Sequence, residues 1–129
     1  MALEKGKQDI SYQYGRLLAV LEKAERDTYT DEGREPNAIR LQSAYCAHPA
    51  ETAATIIKQL KNGYYQKLSV GAKIFYEALI GEIMEQISGF SDAEQRSQLK
   101  ETFIMGYYLQ KNDLYKKNTA SDTNDNDNK

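Results

Sequence analysis

Apolar residues recur along most of the chain at three- and four-residue intervals, the spacing of amphipathic helices. Ile10, Tyr14, Leu17, Leu18, Leu21 and Ala24 make the first such stripe and predict a helix from about Asp9 to Asp31, ended by Glu32, Gly33 and Pro36. Ile39, Leu41 and Tyr45 predict a short second helix, Asn37 to Cys46, closed by His48 and Pro49. Pro49 suits the first position of a third helix, which carries Ala53, Ile56, Ile57, Leu60 and Tyr64 and stops between Asn62 and Lys67. A fourth, from about Ser69 to Ile87, has two apolar rows, Phe75 with Leu79 and Tyr76 with Ile80, Ile83, Met84 and Ile87, and should be the most buried. Ser91 followed by Glu94 reads as a capping box opening a fifth helix, with Leu99, Phe103, Gly106, Tyr107 and Leu114 on its core face.

The expected fold is therefore all-α, a single compact bundle of about five helices. Gly15, Gly81 and Gly106 interrupt helical stretches, each at a cost of roughly 1 kcal/mol against alanine, and close helix contact is the expected compensation. Residues 118–129 hold no apolar residue larger than Ala120 and cannot offset their ordering entropy by burial. They are expected to form a disordered polar tail behind a domain spanning residues 1–117.

Composition narrows the class. The 129 residues are 28 % charged and contain no apolar run approaching the roughly 20 residues of a bilayer span, so no membrane partner is expected. Two prolines and eight glycines are too few for a turn-rich β-sandwich. The charged N-terminus does not resemble a secretory signal, and the single Cys46 cannot close an internal disulfide; both point to the reducing cytoplasm. Net charge is −2, yet the tail's Asp122, Asp125 and Asp127 against Lys129 account for it, leaving a balanced body. The distribution is uneven. Pro36 to Tyr76 holds Arg40, Lys58, Lys61, Lys67 and Lys73 against Glu51 alone, whereas Glu77 to Glu101 is predominantly acidic.

Catalytic signals are poor: no P-loop, no dinucleotide fingerprint and no nucleophile elbow occur. Cys46 and His48 fall short of the four ligands of a structural zinc, so no metal and no cofactor is expected. Glu82 and Glu85 read as a solvated acidic strip. The remaining chemistry is cationic. Arg40, Lys58, Lys61, Lys67 and Lys73, with Tyr65 beside them, make a surface of the kind that holds single-stranded nucleic acid, and Arg16, Lys23 and Arg26 form a second group. Arg16 has an alternative role, pairing with a carboxylate such as Glu82 in service of the fold.

The same residues carry a resemblance. Tyr14-Gly15-Arg16-Leu17-Leu18-Ala19-Val20-Leu21-Glu22-Lys23, Ala47-His48-Pro49-Ala50, Leu79-Ile80-Gly81-Glu82-Ile83-Met84 and Met105-Gly106-Tyr107-Tyr108-Leu109-Gln110 resemble, in order and spacing, the C-terminal region of the large subunit of type I-C CRISPR Cascade. In that family this region is also made separately, by internal translation initiation, as the small subunit. Relatives often read His-Gln-Arg where this chain has Leu109-Gln110-Lys111.

The resemblance implies a non-catalytic helical protein, present in more than one copy beside the large and backbone subunits of a crRNA-guided complex, that helps hold opened target DNA. Exchanging a DNA duplex for a similarly stable RNA–DNA heteroduplex is nearly balanced, so modest backbone contacts tip it. The competing reading is a helical adaptor that binds only protein through exposed tyrosines and the acidic face.

Overall fold

Asp9 opens the first helix as its cap, its Oδ1 accepting from the Tyr12 amide at 3.1 Å and from the Thr102 hydroxyl at 2.9 Å. One carboxylate oxygen thus ties the starts of the first and last helices together. The structure is a computed structural model and describes residues 2–28, 35–64 and 67–127, with side chains through 116 apart from residue 64. Among the described residues there is no strand; the elements are α1 (Ile10–Thr28), α2 (Asn37–Arg40), α3 (Gln42–Ala47), α4 (Pro49–Gln59) followed by a π-helical turn (Leu60–Tyr64), α5 (Val70–Ser88), α6 (Asp92–Arg96) and α7 (Thr102–Asp127).

The all-α bundle expected from periodicity is present, with two of its five helices each broken in two. Leu41, at φ −101° and ψ 16°, separates α2 from α3. The predicted capping box forms at Ser91 and Glu94, but the helix it opens ends at Arg96. Tertiary bonds hold the following segment out of helix: the Leu99 amide donates to the Cys46 carbonyl at 2.8 Å and the Lys100 amide to the Ser11 hydroxyl at 2.8 Å. Ser69, the expected start of the fourth helix, caps α5, its hydroxyl accepting from the Ala72 amide.

The expectation that the fourth predicted helix is the most buried is corrected. That place belongs to α1, where every residue from Ser11 to Glu22 is buried, while α5 fully buries only Tyr76, Ile83 and Ile87. The cause is position: α1 is packed by α7, α5, α2 and α4, whereas α5 is apolar nearly all round and α1 covers one of its sides.

Close helix contact is the role of two of the three glycines. A Cβ on Gly15 would stand 2.1 Å from the Phe103 carbonyl oxygen, and one on Gly106 would stand 2.0 Å from that of Tyr12. Around this crossing Tyr45 donates its hydroxyl to the Tyr14 carbonyl at 2.6 Å and packs its ring against Tyr14 and Phe103. Gly81 is a correction, since nothing lies within 4 Å of a Cβ placed there. It sits on the uncovered side of α5.

The backbone of α7 continues through Asp127, with neither glycine nor proline after Gly106 to halt it. Side chains beyond 116, Tyr65, and the expected first-helix end at residues 29–34 lie outside those described.

Candidate nucleic-acid interface

A buried carboxylate on α1 sets the position of Arg40. Glu25 accepts from the backbone amides of Asn37 at 3.0 Å and Ala38 at 2.9 Å, satisfying donors that the start of α2 leaves without intrahelical partners. Fixed in this way, Asn37 donates its side-chain amide to Gln59 on α4 at 2.7 Å, and its carbonyl oxygen accepts from the Arg40 guanidinium. The guanidinium is thereby oriented at the mouth of a groove of about 700 Å³ lined by Asn37, Arg40, Thr55, Lys58, Gln59, Asn62 and Gly63.

The opposite wall comes from the end of α4 and the π-helical turn. Pro49 starts α4, and Ile56 and Leu60 anchor its inner face. The outer face then presents Lys58 in the last turn, where a cation also complements the helix dipole. Lys61, Asn62 and Gly63 stand exposed on the turn itself.

The structure therefore brings Arg40 and Lys58 to one groove, with Lys61 a short step along the same outer surface. Lys67 is exposed and Lys73 half-buried, and neither lines the groove. Among the described residues Lys58, Lys61, Lys67 and Lys73 take part in no ion pair. Their charges are uncompensated at short range.

The second cationic group is differently placed. Arg16 is 0 % exposed and is a correction: it has no surface to offer a phosphate. Its Nε donates to Gln110 Oε1 at 2.9 Å, and one terminal nitrogen donates to the Lys5 carbonyl and Gln13 Oε1, both at 2.8 Å. The other terminal nitrogen is buried with no hydrogen-bond partner among the described residues. Burial pulls the guanidinium below its ordinary value against the attraction of Glu82, Tyr12 and Asp113. The alternative pairing with Glu82 thus holds only as attraction at a distance, and the hydrogen bonds go to neutral oxygens.

Lys23 and Arg26 are bound to carboxylates. Lys23 lies 2.9 Å from Asp27 and over the Tyr115 ring; Arg26 donates to the buried Glu22 at 3.0 Å. Glu22 also accepts from Lys111 at 3.3 Å and from the Tyr107 hydroxyl. These cations hold α1 to itself and to α7. Sequence reading did not find Asn37 and Gln59, which shape the groove; isolated amides in helical stretches carry no periodic or charge signal.

Glu82 and Glu85 are both exposed on α5. Cys46 is half-buried, with burial raising its thiol. Among the described residues, no group of three or more His, Cys, Asp or Glu is placed to hold a metal ion, and no helix is long and apolar enough to cross a membrane.

What the groove can do is charge neutralisation: an aligned guanidinium and an unpaired ammonium, flanked by amides, match a phosphate-bearing chain without reading its bases. No curated protein matches the chain. A family model described as CRISPR-associated protein (Cas_Csd1) matches residues 1–115, which take in α1 to α6, the groove and the packed part of α7. The chain belongs to this CRISPR-associated family.

Proposed function

We propose that the chain is the non-catalytic small subunit of a type I-C CRISPR effector complex, the separately translated counterpart of the large subunit's C-terminal region, acting in the cytoplasm. It binds DNA backbone without regard to sequence and stabilises the R-loop. Its partners are the large and backbone subunits, further copies of itself, and target DNA. The domain that does this is residues 1–117. The observation that supports the DNA role is the groove holding Arg40 and Lys58, with Lys61 beside it and, among the described residues, no carboxylate in an ion pair with the lysines.

A body of balanced charge binds free DNA weakly. Within an assembly the effective concentration of neighbouring sites makes a few cations sufficient. Each phosphate contact to a single strand contributes a log–log salt slope of about −0.7.

The test is the double charge reversal Arg40→Glu with Lys58→Glu in the assembled, crRNA-bearing complex. Target-DNA affinity should fall and the salt slope should become shallower by about 1.4 for two lost contacts, with the helical circular dichroism of the chain unchanged. Unaltered affinity and slope would reject the assignment. The adaptor reading is favoured by one observation, the exposure of Tyr108 and Tyr115 together with the acidic outer side of α5. It requires that the double reversal leave DNA binding intact.

A further inference from the structure

Residues 4–7 lie across the start of α1 as a strap, and the fold holds them by their main chain. The Glu4 amide donates to the Tyr12 hydroxyl at 3.0 Å. The Gln13 side-chain amide donates to the carbonyls of Lys5 at 3.1 Å and Lys7 at 2.9 Å, and Arg16 gives the Lys5 carbonyl a second bond at 2.8 Å. The side chains of the strap contribute less. Glu4 and Lys5 are exposed, Gly6 has open space where a Cβ would stand, and Lys7 reaches back with its Nζ 5.5 Å from the centre of the Tyr12 ring. Beneath the strap Tyr12, Gln13 and Arg16 are fully buried. Lys5, whose carbonyl meets the guanidinium, is itself exposed, so the cover is one chain thick.

Under this cover Arg16 keeps an unused donor. Its bonds reach neutral oxygens, and its second terminal nitrogen is buried with no hydrogen-bond partner among the described residues. The attraction of Glu82 and Asp113 does not supply that nitrogen with a hydrogen bond. A buried cation is costly without an anion in contact, and a single carbonyl oxygen cannot engage both terminal nitrogens as a carboxylate does.

We infer that the strap fills, within its own chain, a peptide-binding site between α1 and α7, and that an acidic segment of a partner protein takes its place there. The Tyr12 hydroxyl and the Gln13 amide engage the incoming main chain as they engage residues 4–7, so those bonds are exchanged like for like. An aspartate or glutamate of the newcomer then meets Arg16 in two parallel, charge-assisted bonds. That added bond, to a nitrogen that had none, drives the exchange. A peptide is the occupant because the Tyr12 hydroxyl accepts from an amide N–H, a donor that a sugar–phosphate backbone lacks. The site shares no residue with the groove of Arg40 and Lys58.

A fluorescein-labelled short peptide of alternating aspartate and glycine, titrated against the full chain by anisotropy, tests this. It should bind saturably, and its counterpart with asparagine for aspartate should bind about tenfold or more weakly. Binding should speed hydrogen exchange at the Glu4 and Lys7 amides, which the strap protects by bonds to Tyr12 and to the Glu4 carbonyl. Arg16→Lys, with its fold checked by circular dichroism, should lose about as much affinity as the asparagine peptide. Lys7→Gln frees the strap from the Tyr12 ring, so the open site is more populated and binding should tighten about two- to fivefold. General attraction between lysines and an acidic peptide predicts the opposite sign. Arg40→Glu with Lys58→Glu should leave peptide affinity unchanged, which keeps this result apart from the DNA reading. The inference is overturned if the aspartate peptide does not bind, if the asparagine peptide binds as well, if exchange at Glu4 and Lys7 stays slow, if Lys7→Gln weakens binding, or if the double reversal abolishes it.

Discussion

Gly106 meets the backbone of Tyr12 where a Cβ would overlap the carbonyl oxygen, and Gly15 meets Phe103 in the same way from the other helix. The two contacts share one crossing of α1 and α7. Gly106→Ala should cost about 3 kcal/mol, because backbone cannot yield as a flexible side chain does, and Gly15→Ala should cost a similar amount. Gly81→Ala should do the opposite, raising stability by about 0.5–1 kcal/mol through helix propensity and a less disordered unfolded chain. Thermal melts of the three variants check the ordering; equal shifts would show that the crossing is looser than described.

Arg16 joins α1, α7 and the N-terminal segment through Gln110, Gln13 and the Lys5 carbonyl. Arg16→Ala leaves two buried glutamine oxygens short of a donor, and each such loss costs about 1–3 kcal/mol. The expected result is a fall of about 3 kcal/mol together with faster amide exchange at residues 4–9. Because the side chain is buried, DNA binding by complexes containing folded Arg16→Ala should match wild type. A specific loss of DNA affinity would return Arg16 to the interface.

Four tyrosines share one pH dependence. Burial raises the phenols of Tyr14, Tyr45, Tyr76 and Tyr107 above the ordinary value of 10.0, and hydrogen bonds to Asp27 and Glu22 push Tyr76 and Tyr107 up further. Below pH 10 these phenols are neutral in folded and unfolded chains alike, and their contribution to stability is whole. Above it the unfolded chain releases protons that the fold retains, so stability falls as pH climbs toward the raised values. Alkaline titration should show a late, cooperative rise in tyrosinate absorbance coinciding with loss of helical circular dichroism. Gradual ionisation of all ten tyrosines with the helices intact would contradict this.

How much of this was legible in the sequence depended on whether the signal was local. The capping box at Ser91 and the stripes of α1 and α4 are properties of neighbouring residues, and they form where expected. The break before α7 arises from Leu99 and Lys100 bonding to Cys46 and Ser11, partners distant in sequence. Burial was misjudged for the same reason: an all-apolar helix states its appetite for cover, and only the arrangement tells which side receives it. Among the cations, charge excess put Arg40, Lys58, Lys61, Lys67 and Lys73 in one group and Arg16, Lys23 and Arg26 in a second and offered both to nucleic acid; it could not reveal that Lys67 and Lys73 stand off the groove, that Lys23 and Arg26 are bound to carboxylates, or that Arg16 faces inward. The groove needs Asn37 and Gln59 to meet across two helices, which no pattern announces.

The proposed boundary at residue 117 has its own consequence. Among the described residues Leu114 is the last in the buried core, and residues 118–129 hold no apolar residue larger than Ala120, so their deletion should leave stability within the spread of neutral surface changes, about 0.5 kcal/mol. A clear loss of stability would extend the domain into the polar stretch.

Because α1 is packed by α2, α4, α5 and α7, it is synthesised before the helices that cover it and is the last of them to be completed. The roughly ninety residues between Gly15 and Gly106 take on the order of five to twenty seconds to synthesise. During that interval Leu17, Leu18 and Leu21 lack their final neighbours. A nascent chain stalled before α7 would be a client for chaperones or proteases, so cells would accumulate whole copies and discard partial ones.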